Sequence, residues 1–574
     1  MKKDKLTSLY TIDGEALATD ETRVPWDAYP RPQLRRDSYL CLNGWWEFAV
    51  NNGESVPVAY SRRIRVPFCP ESLLSGIGEV MGPDVTLWYR RAFTLPDGFM
   101  KERVLLHVGA ADQITRIYLN GAFVGEHVGG YDPITVDITE SLAEDNILEI
   151  QVIDHLPDTT LPYGKQCHKR GGMWYTPVSG IWQTVWLESV PATYVRYLST
   201  TVDPSGVTVY AAGVAQGTVT VTTPEGEQTF SLVDGEAHIA LSNPRLWCPE
   251  DPYLYEYTVT AGADCVRSYF AVRTLTTEMV ESVPRLCLNG KPVFFHAVLD
   301  QGYWSDGLFT PATPDGYAWD IQAMQKLGFN TLRKHIKIEP EQFYYDCDRL
   351  GMLVWQDMVN NGDYSFLRDT ALPTVGLKRL SDKRLHRDAA TRAAFEAGME
   401  QTVRQLQEHP CVVGWTIFNE GWGQFDSERM YHRLRQLDST RFIDTASGWF
   451  KGAKSDVVSE HVYFKPFRFR KGNKPVFLSE FGGYSYKPQG HVANTEKTYG
   501  YRLYDDAAKY MDDVERLYLM EIIPAVAEGL CGAVYTQLSD VEDETNGLVS
   551  YDRRVCKVSE ERMLHLADEL KRRI

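Results

Sequence analysis

Two apolar segments of the chain each end on a glutamate. Residues 412–420 read Val-Val-Gly-Trp-Thr-Ile-Phe-Asn-Glu, and residues 475–480 read Pro-Val-Phe-Leu-Ser-Glu. One such glutamate is ordinary, because strands end where the chain meets water. Two of them can form a carboxyl pair, in which one group is ionised and attacks while the other is protonated and donates its proton. Glu420 and Glu480 are therefore the first candidates for catalysis.

Cleavage of a glycosidic bond needs such a pair. An enzyme that retains the anomeric configuration holds the two carboxyl groups about 5–5.5 Å apart, whereas an inverting enzyme needs about 6.5–9.5 Å to admit a water molecule. Asn419, beside Glu420, has an amide that can donate to a sugar 2-hydroxyl, a contact that strengthens in the transition state. The same amide is also a common cap at the end of a strand. The separation of the Glu420 and Glu480 carboxyl groups depends on the fold.

The segment from residue 276 to residue 574 must position these side chains. Eight short apolar runs follow one another in it, mostly with helical segments between them. Strands that are buried on both faces and crossed by helices form a parallel sheet, and eight of them predict a (β/α)8 TIM barrel. Glu420 and Glu480 end predicted strands 4 and 7. Both should lie at the C-terminal mouth of the barrel, where such folds carry their sites.

Two β-rich domains are predicted before the barrel. Residues 1–190 alternate short strands with turn signals such as Asn120-Gly121, a pattern that predicts a β-sandwich of the jelly-roll kind. Residues 191–275 contain the alternating run from Tyr253 to Val259, and their length suits an immunoglobulin-like β-sandwich.

Charge and composition exclude several partners. The formal net charge of −17 argues against nucleic acid and against an anionic membrane surface, since both need basic patches. There is no export signal after Met1, no apolar run long enough to span a membrane, and no CxxC pair among the ten cysteines. We therefore expect a cytoplasmic protein with reduced thiols. The sequence leaves open whether the protein forms a homo-oligomer.

Motifs over nearly the whole chain resemble glycoside hydrolase family 2, the family of the β-galactosidases and β-glucuronidases. The resemblance implies a first domain of the sugar-binding type and a retaining exo-β-glycosidase, which removes terminal non-reducing sugars by double displacement. The motifs lie at residues 88–91, 117–121, 164–166, 174–182, 246–255, 330–335 and 347–351.

The resemblance also implies roles for single side chains. Glu480 corresponds to the family's nucleophile, and Asn419-Glu420 to its acid/base dipeptide. Tyr463 resembles the tyrosine that hydrogen-bonds the nucleophile. His335 resembles the histidine of strand 2 that lines the sugar site.

Other candidates for sugar contact are less specific. Arg333 belongs to the same strand-2 motif as His335, and we expect it at the substrate. Trp304 and Trp449 are candidate stacking platforms for a sugar ring, as are Trp355 and Trp422, although a tryptophan is equally common in a packed core.

The chain departs from the family where the sugar is selected. Residues 165–187 lack the acidic residue that metal-dependent β-galactosidases and β-glucuronidases use to reach the sugar, and residues 355–362 lack the Glu-x-His of a magnesium site. Residues 540–549 hold four acids and no lysine, where β-glucuronidases carry an Asn-x-Lys that binds the substrate carboxylate. These differences predict no essential metal, no cofactor and a neutral sugar, as in a β-galactosidase.

Three alternatives are weighed against this carbohydrate-cleaving enzyme. A β-glucuronidase or a β-mannosidase of the same family would differ in the sugar. A carbohydrate-binding protein without catalysis would share the fold. A metal-dependent barrel hydrolase is disfavoured, because no His-x-His follows predicted strand 1.

Overall fold

The computed structural model of the chain describes residues 6–83, 85–156, 158–372, 382–448 and 454–574. In these residues two antiparallel β domains precede a parallel barrel. The predicted fold class is confirmed.

The first domain is a sandwich of two antiparallel sheets. One sheet has six strands, in the order Arg62–Val66, Gly44–Asn51, Thr86–Phe93, Asn146–Ile153, Ile114–Leu119 and Ala122–Val128. The other has four, in the order Leu40–Cys41, Val185–Val190, Arg103–Val108 and Ile134–Asp137. A short pair, Ala111–Asp112 with Gly180–Ile181, lies beside them. Asn120 and Gly121 have φ angles of 52° and 80°, the positive values that a two-residue hairpin turn requires.

The second domain consists of seven antiparallel strands around their own apolar core. Their order is Tyr197–Asp203, Gly206–Ala212, Glu236–Ala240, Gly226–Val233, Gln216–Thr223, Tyr255–Ala261 and Asp264–Phe270. A three-stranded sheet then leads into the barrel, formed by Leu275–Val280, Val283–Leu288 and Lys291–Pro292. Arg285 of this sheet donates to the backbone carbonyls of Val526 and Leu530, so the sheet lies at the N-terminal end of the barrel.

The eight barrel strands run parallel, as the sequence predicts. Numbered in chain order, they are β1 Phe295–Asp300, β2 Thr331–Lys334, β3 Leu353–Asp357, β4 Val412–Asn419, β5 Phe442–Ser447, β6 Val458–Val462, β7 Val476–Gly482 and β8 Leu530–Thr536. They pair in the order β5-β4-β3-β2-β1-β8-β7-β6.

Helices lie between most of these strands. The longest begins at Ala389, later than the predicted start near Lys383, because the Asp388 side chain accepts from the Thr391 N–H and caps it there. The α-helices are Ile12–Thr19 before the sandwich and Asp315–Lys326, Glu341–Leu350, Ala389–Leu406, Ser427–Leu437, Ala507–Leu517, Ile523–Glu528 and Glu560–Lys571 in the barrel. None of the helices in the described ranges is long and apolar enough to cross a membrane.

An aromatic cluster fills the barrel interior beneath the mouth. Trp355 stacks on Phe477, with ring centroids 4.5 Å apart, and packs against Phe295. Gly414 makes room for it, since a Cβ there would lie 2.5 Å from the Trp355 ring. Trp355 is therefore a core residue and not a stacking platform for a sugar.

Candidate active site

Glu420 and Glu480 meet at the C-terminal mouth of the barrel. Glu420 follows β4 directly and Glu480 lies within β7. One carboxylate oxygen of each lies within 4.8 Å of the other, and both side chains are buried. An oxygen–oxygen approach of this size fits a retaining pair, whose carboxyl groups lie about 5–5.5 Å apart.

His461 lies between the two carboxylates. Its Nδ1 is 2.8 Å from Oε1 of Glu420 and 3.4 Å from Oε2 of Glu480, while its Nε2 is 3.0 Å from Oγ of Ser447. Sequence reasoning passed over this residue. A signal was present, because side chains two positions apart on a strand share a face, and His461 precedes the candidate Tyr463 by two positions.

Arg333 lies beneath the pair and contacts protein groups from three other strands. Its Nη1 donates to Oε1 of Glu480 at 3.0 Å, its Nη2 to Oδ1 of Asn419 at 2.8 Å and its Nε to Oδ1 of Asp357 at 3.0 Å. Burial opposes the charge on Arg333, but the carboxylates of Asp357 and Glu480 raise its pKa above the ordinary value. Arg333 is fully buried and holds the groups around it in place, and its contact with the substrate stays a prediction.

The turn after β4 directs Glu420 into the mouth. Glu420 has a φ of 51°, a left-handed conformation that is rare for a residue other than glycine and is often found at functional sites. Its N–H donates to the Ser447 carbonyl at 3.0 Å, and the Trp422 N–H donates to the Asn419 carbonyl at 2.9 Å. Because Arg333 binds the oxygen of the Asn419 amide, the NH2 group lies at the other end and is oriented to donate.

Tyr463 donates its hydroxyl hydrogen to Oε2 of Glu480, and Oγ1 of Thr536 lies 3.0 Å from the same hydroxyl. The Tyr463 ring stacks on Tyr501 with centroids 3.7 Å apart. Burial, and next the charge of Glu480, raise the pKa of Tyr463 well above its ordinary value. The phenol therefore stays protonated and remains a donor to the carboxylate.

His335 lies just beyond β2, with Nδ1 2.7 Å from Oδ2 of Asp357. Burial, and next the charge of Lys165, lower its pKa to about 4. The ring is therefore neutral near pH 7, and its Nδ1 carries the hydrogen that the Asp357 carboxylate accepts. Burial opposes the charge of Asp357 as well, but Arg333 and His335 hold the pKa of that carboxyl below its usual range.

A segment of the first domain reaches over the barrel mouth. We call residues 158–178 the sandwich loop. The Tyr163 hydroxyl donates to the Gly362 carbonyl at 2.9 Å, and Arg170 pairs with Asp543 at 3.1 Å. Domain and barrel thus build the site together, which no local sequence pattern reveals.

The acids after β8 hold this loop. The Thr176 N–H donates to Oε1 of Glu542 at 2.9 Å, and the Tyr175 hydroxyl donates to Oε2 of Glu544. Of the other two acids in this segment, Asp543 pairs with Arg170, as described above, and Asp540 pairs with Lys557. These carboxylates are therefore used in protein contacts.

The tryptophans considered for sugar stacking differ in their surroundings. The guanidinium of Arg553 lies 4.1 Å from the ring centroid of Trp304, and the edge of Tyr317 packs against it, so the buried ring is explained without a sugar. Trp449 lies outside the described residues. Trp422 follows Glu420 by two positions and stacks on Trp174 with centroids 5.4 Å apart, which joins the mouth to the sandwich loop.

Three domain models of one protein family match successive parts of the chain. The sugar binding domain of glycosyl hydrolases family 2 matches residues 42–191, a second domain of that family matches residues 194–273, and its TIM barrel domain matches residues 280–512. The chain belongs to glycoside hydrolase family 2. The three matched domains follow one another in the order predicted from the sequence, and the structure has the same order.

Relatives within family 2 differ in the sugar that their names give. The chain is 23% identical over 381 residues to a β-galactosidase of Thermoanaerobacter pseudethanolicus, a match that covers 62% of this chain and 47% of that protein. It is 24% identical over 448 residues to a β-glucuronidase of Felis catus, covering 68% of this chain and 65% of the relative. The chain thus spans less than two thirds of either relative.

A solved structure shows the same fold. The β-D-glucuronidase of Dictyoglomus thermophilum superposes with a TM-score of 0.69 at 17% identity, covering 95% of this chain and 98% of that one. At this identity the likeness shows the architecture alone.

Glu420, His461 and Glu480 also form a group of ligand atoms that could hold a metal ion. The Nη1 donor of Arg333, 3.0 Å from Glu480, places a fixed positive charge beside that group and opposes a bound cation. The absence of an essential metal stays a prediction.

Proposed function

We propose that the protein is a retaining exo-β-glycosidase that hydrolyses terminal β-linked sugars by double displacement, with Glu480 as nucleophile and Glu420 as general acid/base. The observation that carries the proposal is the approach of one oxygen from each carboxylate to within 4.8 Å. Such an approach supports direct attack by one carboxylate, because an inverting pair is held about 6.5–9.5 Å apart to admit a water molecule.

The surroundings of the two carboxylates separate their roles. Arg333 and Tyr463 both donate to Glu480, and donors to a carboxylate stabilise its charged form. Glu420 lies closer to His461, at 2.8 Å from Nδ1, than Glu480 does at 3.4 Å. An ionised nucleophile and a protonated acid require this kind of unequal environment.

The reaction then follows in two balanced steps. A Glu480 oxygen forms a bond to the anomeric carbon as the bond to the leaving oxygen breaks, and Glu420 gives its proton to that oxygen. In the second step Glu420 takes a proton from water, whose oxygen attacks the anomeric carbon and releases Glu480. The Asn419 amide donates to the sugar 2-hydroxyl in both transition states.

The position of the sandwich loop supports exo action. It is tied to the barrel on one side of the mouth by Tyr163 and on another by Tyr175 and Thr176. A pocket closed in this way accepts the end of a glycan more readily than its middle.

The neutral sugar, as in a β-galactosidase, stays a prediction from the sequence. One of its reasons was the run of acids after β8. Two of those acids pair with cations, Asp543 with Arg170 and Asp540 with Lys557, so their repulsion of an anionic sugar is weaker than the sequence alone indicates.

The test is hydrolysis of a panel of p-nitrophenyl β-glycosides, with NMR of the first product formed from the best substrate. The β anomer is expected, because two inversions restore the configuration. An α anomer would exclude retention, and sugar binding without hydrolysis of any glycoside would favour a binding protein.

A further inference from the structure

Lys165 lies in the sandwich loop, next to the point where the loop contacts the segment that follows β2. The preceding residue, Gly164, has a φ of 67°, and a Cβ there would lie 2.9 Å from the Ile336 carbonyl oxygen. The N–H groups of Tyr163 and Gly164 both donate to the Asn360 carbonyl. Only glycine permits this close approach, so the backbone next to Lys165 is fixed against the barrel mouth.

The ammonium of Lys165 faces residues of the active site. Its Nζ lies 5.4 Å from the ring centroid of Trp422, two residues beyond Glu420, and 5.6 Å from that of Tyr175. Its charge also contributes to the low pKa of His335, after burial. The residue is only 8% exposed, so this cation lies among the aromatic rings of the mouth, two residues from Glu420 along the chain at Trp422.

No counter-charge accompanies Lys165 in the part of the chain that the structure describes. None of the ion pairs or hydrogen bonds found among those residues involves its Nζ. The acids of the neighbouring β8 segment are engaged elsewhere, Asp543 by Arg170, Glu542 by Thr176 and Glu544 by Tyr175. A buried charge without a partner is unfavourable unless a ligand supplies one.

We propose that Lys165 is the anion-binding group of the sugar site and that the preferred substrate is a β-linked hexuronic acid. The inference rests on the proposed glycosidase function and names the class of its sugar, in place of the neutral sugar that the sequence predicts. A sugar carboxylate supplies the missing partner, since a charge-assisted contact with the ammonium beside Trp422 and Tyr175 is a strong one. The recognition comes from the first domain, whereas the region after β8, with four acids and no lysine, provides none.

The experiment uses two pairs of p-nitrophenyl β-glycosides that differ only at C6, glucuronide with glucoside and galacturonide with galactoside. We expect the wild-type kcat/KM for one uronide to exceed that for its neutral partner by about 100-fold, the size of a buried charge-assisted contact. Lys165→Met keeps the length of the side chain and its contact with the rings. It should lower the kcat/KM for the uronide by about 100-fold, mainly through KM, and leave that for the neutral partner unchanged.

Lys169→Met is the matched control, because Lys169 is exposed in the same loop and its loss should change neither substrate. A wild-type preference for the neutral member of both pairs would overturn the assignment, as would an equal loss on both members in Lys165→Met.

Titration calorimetry with free D-glucuronate and D-galacturonate, against D-glucose and D-galactose, separates this assignment from the glycosidase proposal. Uronate binding that Lys165→Met abolishes, without cleavage of any glycoside, would support the anion site and reject the glycosidase. Cleavage of neutral glycosides without uronate binding would support the glycosidase and reject the anion site.

Discussion

The Nη1 atom of Arg333 lies 3.0 Å from Oε1 of Glu480. The same guanidinium binds Asn419 through Nη2 and Asp357 through Nε, so one buried cation fixes side chains from three other strands. A planar guanidinium suits this task because its donors have a fixed geometry.

Replacing Arg333 by lysine should keep the charge and lose that geometry. We expect kcat for an aryl β-glycoside to fall by about 100-fold or more, with a smaller change in KM, because a nucleophile displaced by 1 Å loses about that factor. Steady-state kinetics measures the split between kcat and KM. Arg404→Lys, at an exposed helical position, is the control, and a wild-type kcat in Arg333→Lys would refute the positioning role.

Replacing Tyr463 by phenylalanine should remove the hydroxyl that donates to Glu480 and keep the ring that stacks on Tyr501. We expect kcat to fall by about 10- to 100-fold, as for the loss of one hydrogen bond to a charged group. The melting temperature should change little. Tyr210→Phe in the second domain should leave kcat unaltered, and an unchanged kcat in Tyr463→Phe would show that its hydrogen bond is not needed.

Azide should distinguish the two glutamates. In Glu420→Ala the glycosyl enzyme still forms from a substrate with a good leaving group, and azide attacks it to give a β-glycosyl azide. In Glu480→Ala azide replaces the nucleophile and gives an α-glycosyl azide. Without azide, each variant should lose about 100-fold or more in kcat. NMR of the azide adducts tests the assignment, and the opposite pattern of anomers would exchange the two roles.

His335 should make stability depend on pH. Burial, and next the charge of Lys165, lower its pKa from 6.5 to about 4, so between these values the unfolded chain binds a proton that the folded chain does not. Its contribution is therefore fully present above pH 6.5 and is lost as the pH falls toward 4, up to about 3 kcal/mol. Calorimetry should show a melting temperature that falls from about pH 7 to about pH 5.

In His335→Gln that fall should be smaller. His432→Gln, at an exposed position of the helix Ser427–Leu437, should retain the wild-type pH dependence. If His335→Gln lost as much stability as the wild type over this range, another group would have to be responsible.

Part of the site could be predicted because its signals are local. Glu420 and Glu480 each end an apolar run, and that pattern alone places them at one end of a parallel barrel. His461 was missed although it lies beside Tyr463, because a buried histidine on a strand has no chemical signature until its partners are known. Trp304 and Trp355 were considered for sugar stacking because residue type does not distinguish an exposed ring from one covered by Arg553 or by Phe477.

The sequence by itself determined the order of the three domains, the eight barrel strands and the association of Glu420 and Glu480 with two of those strands. Hydrophobic period and strand ends are properties of neighbouring residues, which the sequence shows directly. The tertiary structure alone decided the spacing of the carboxylates, the place of Arg333 beneath them and the approach of Lys165 from another domain. These depend on contacts between residues far apart in the chain, such as Lys165 with Trp422. The geometry of Glu420 and Glu480 supports the mechanism, and the charge of Lys165 points to the sugar.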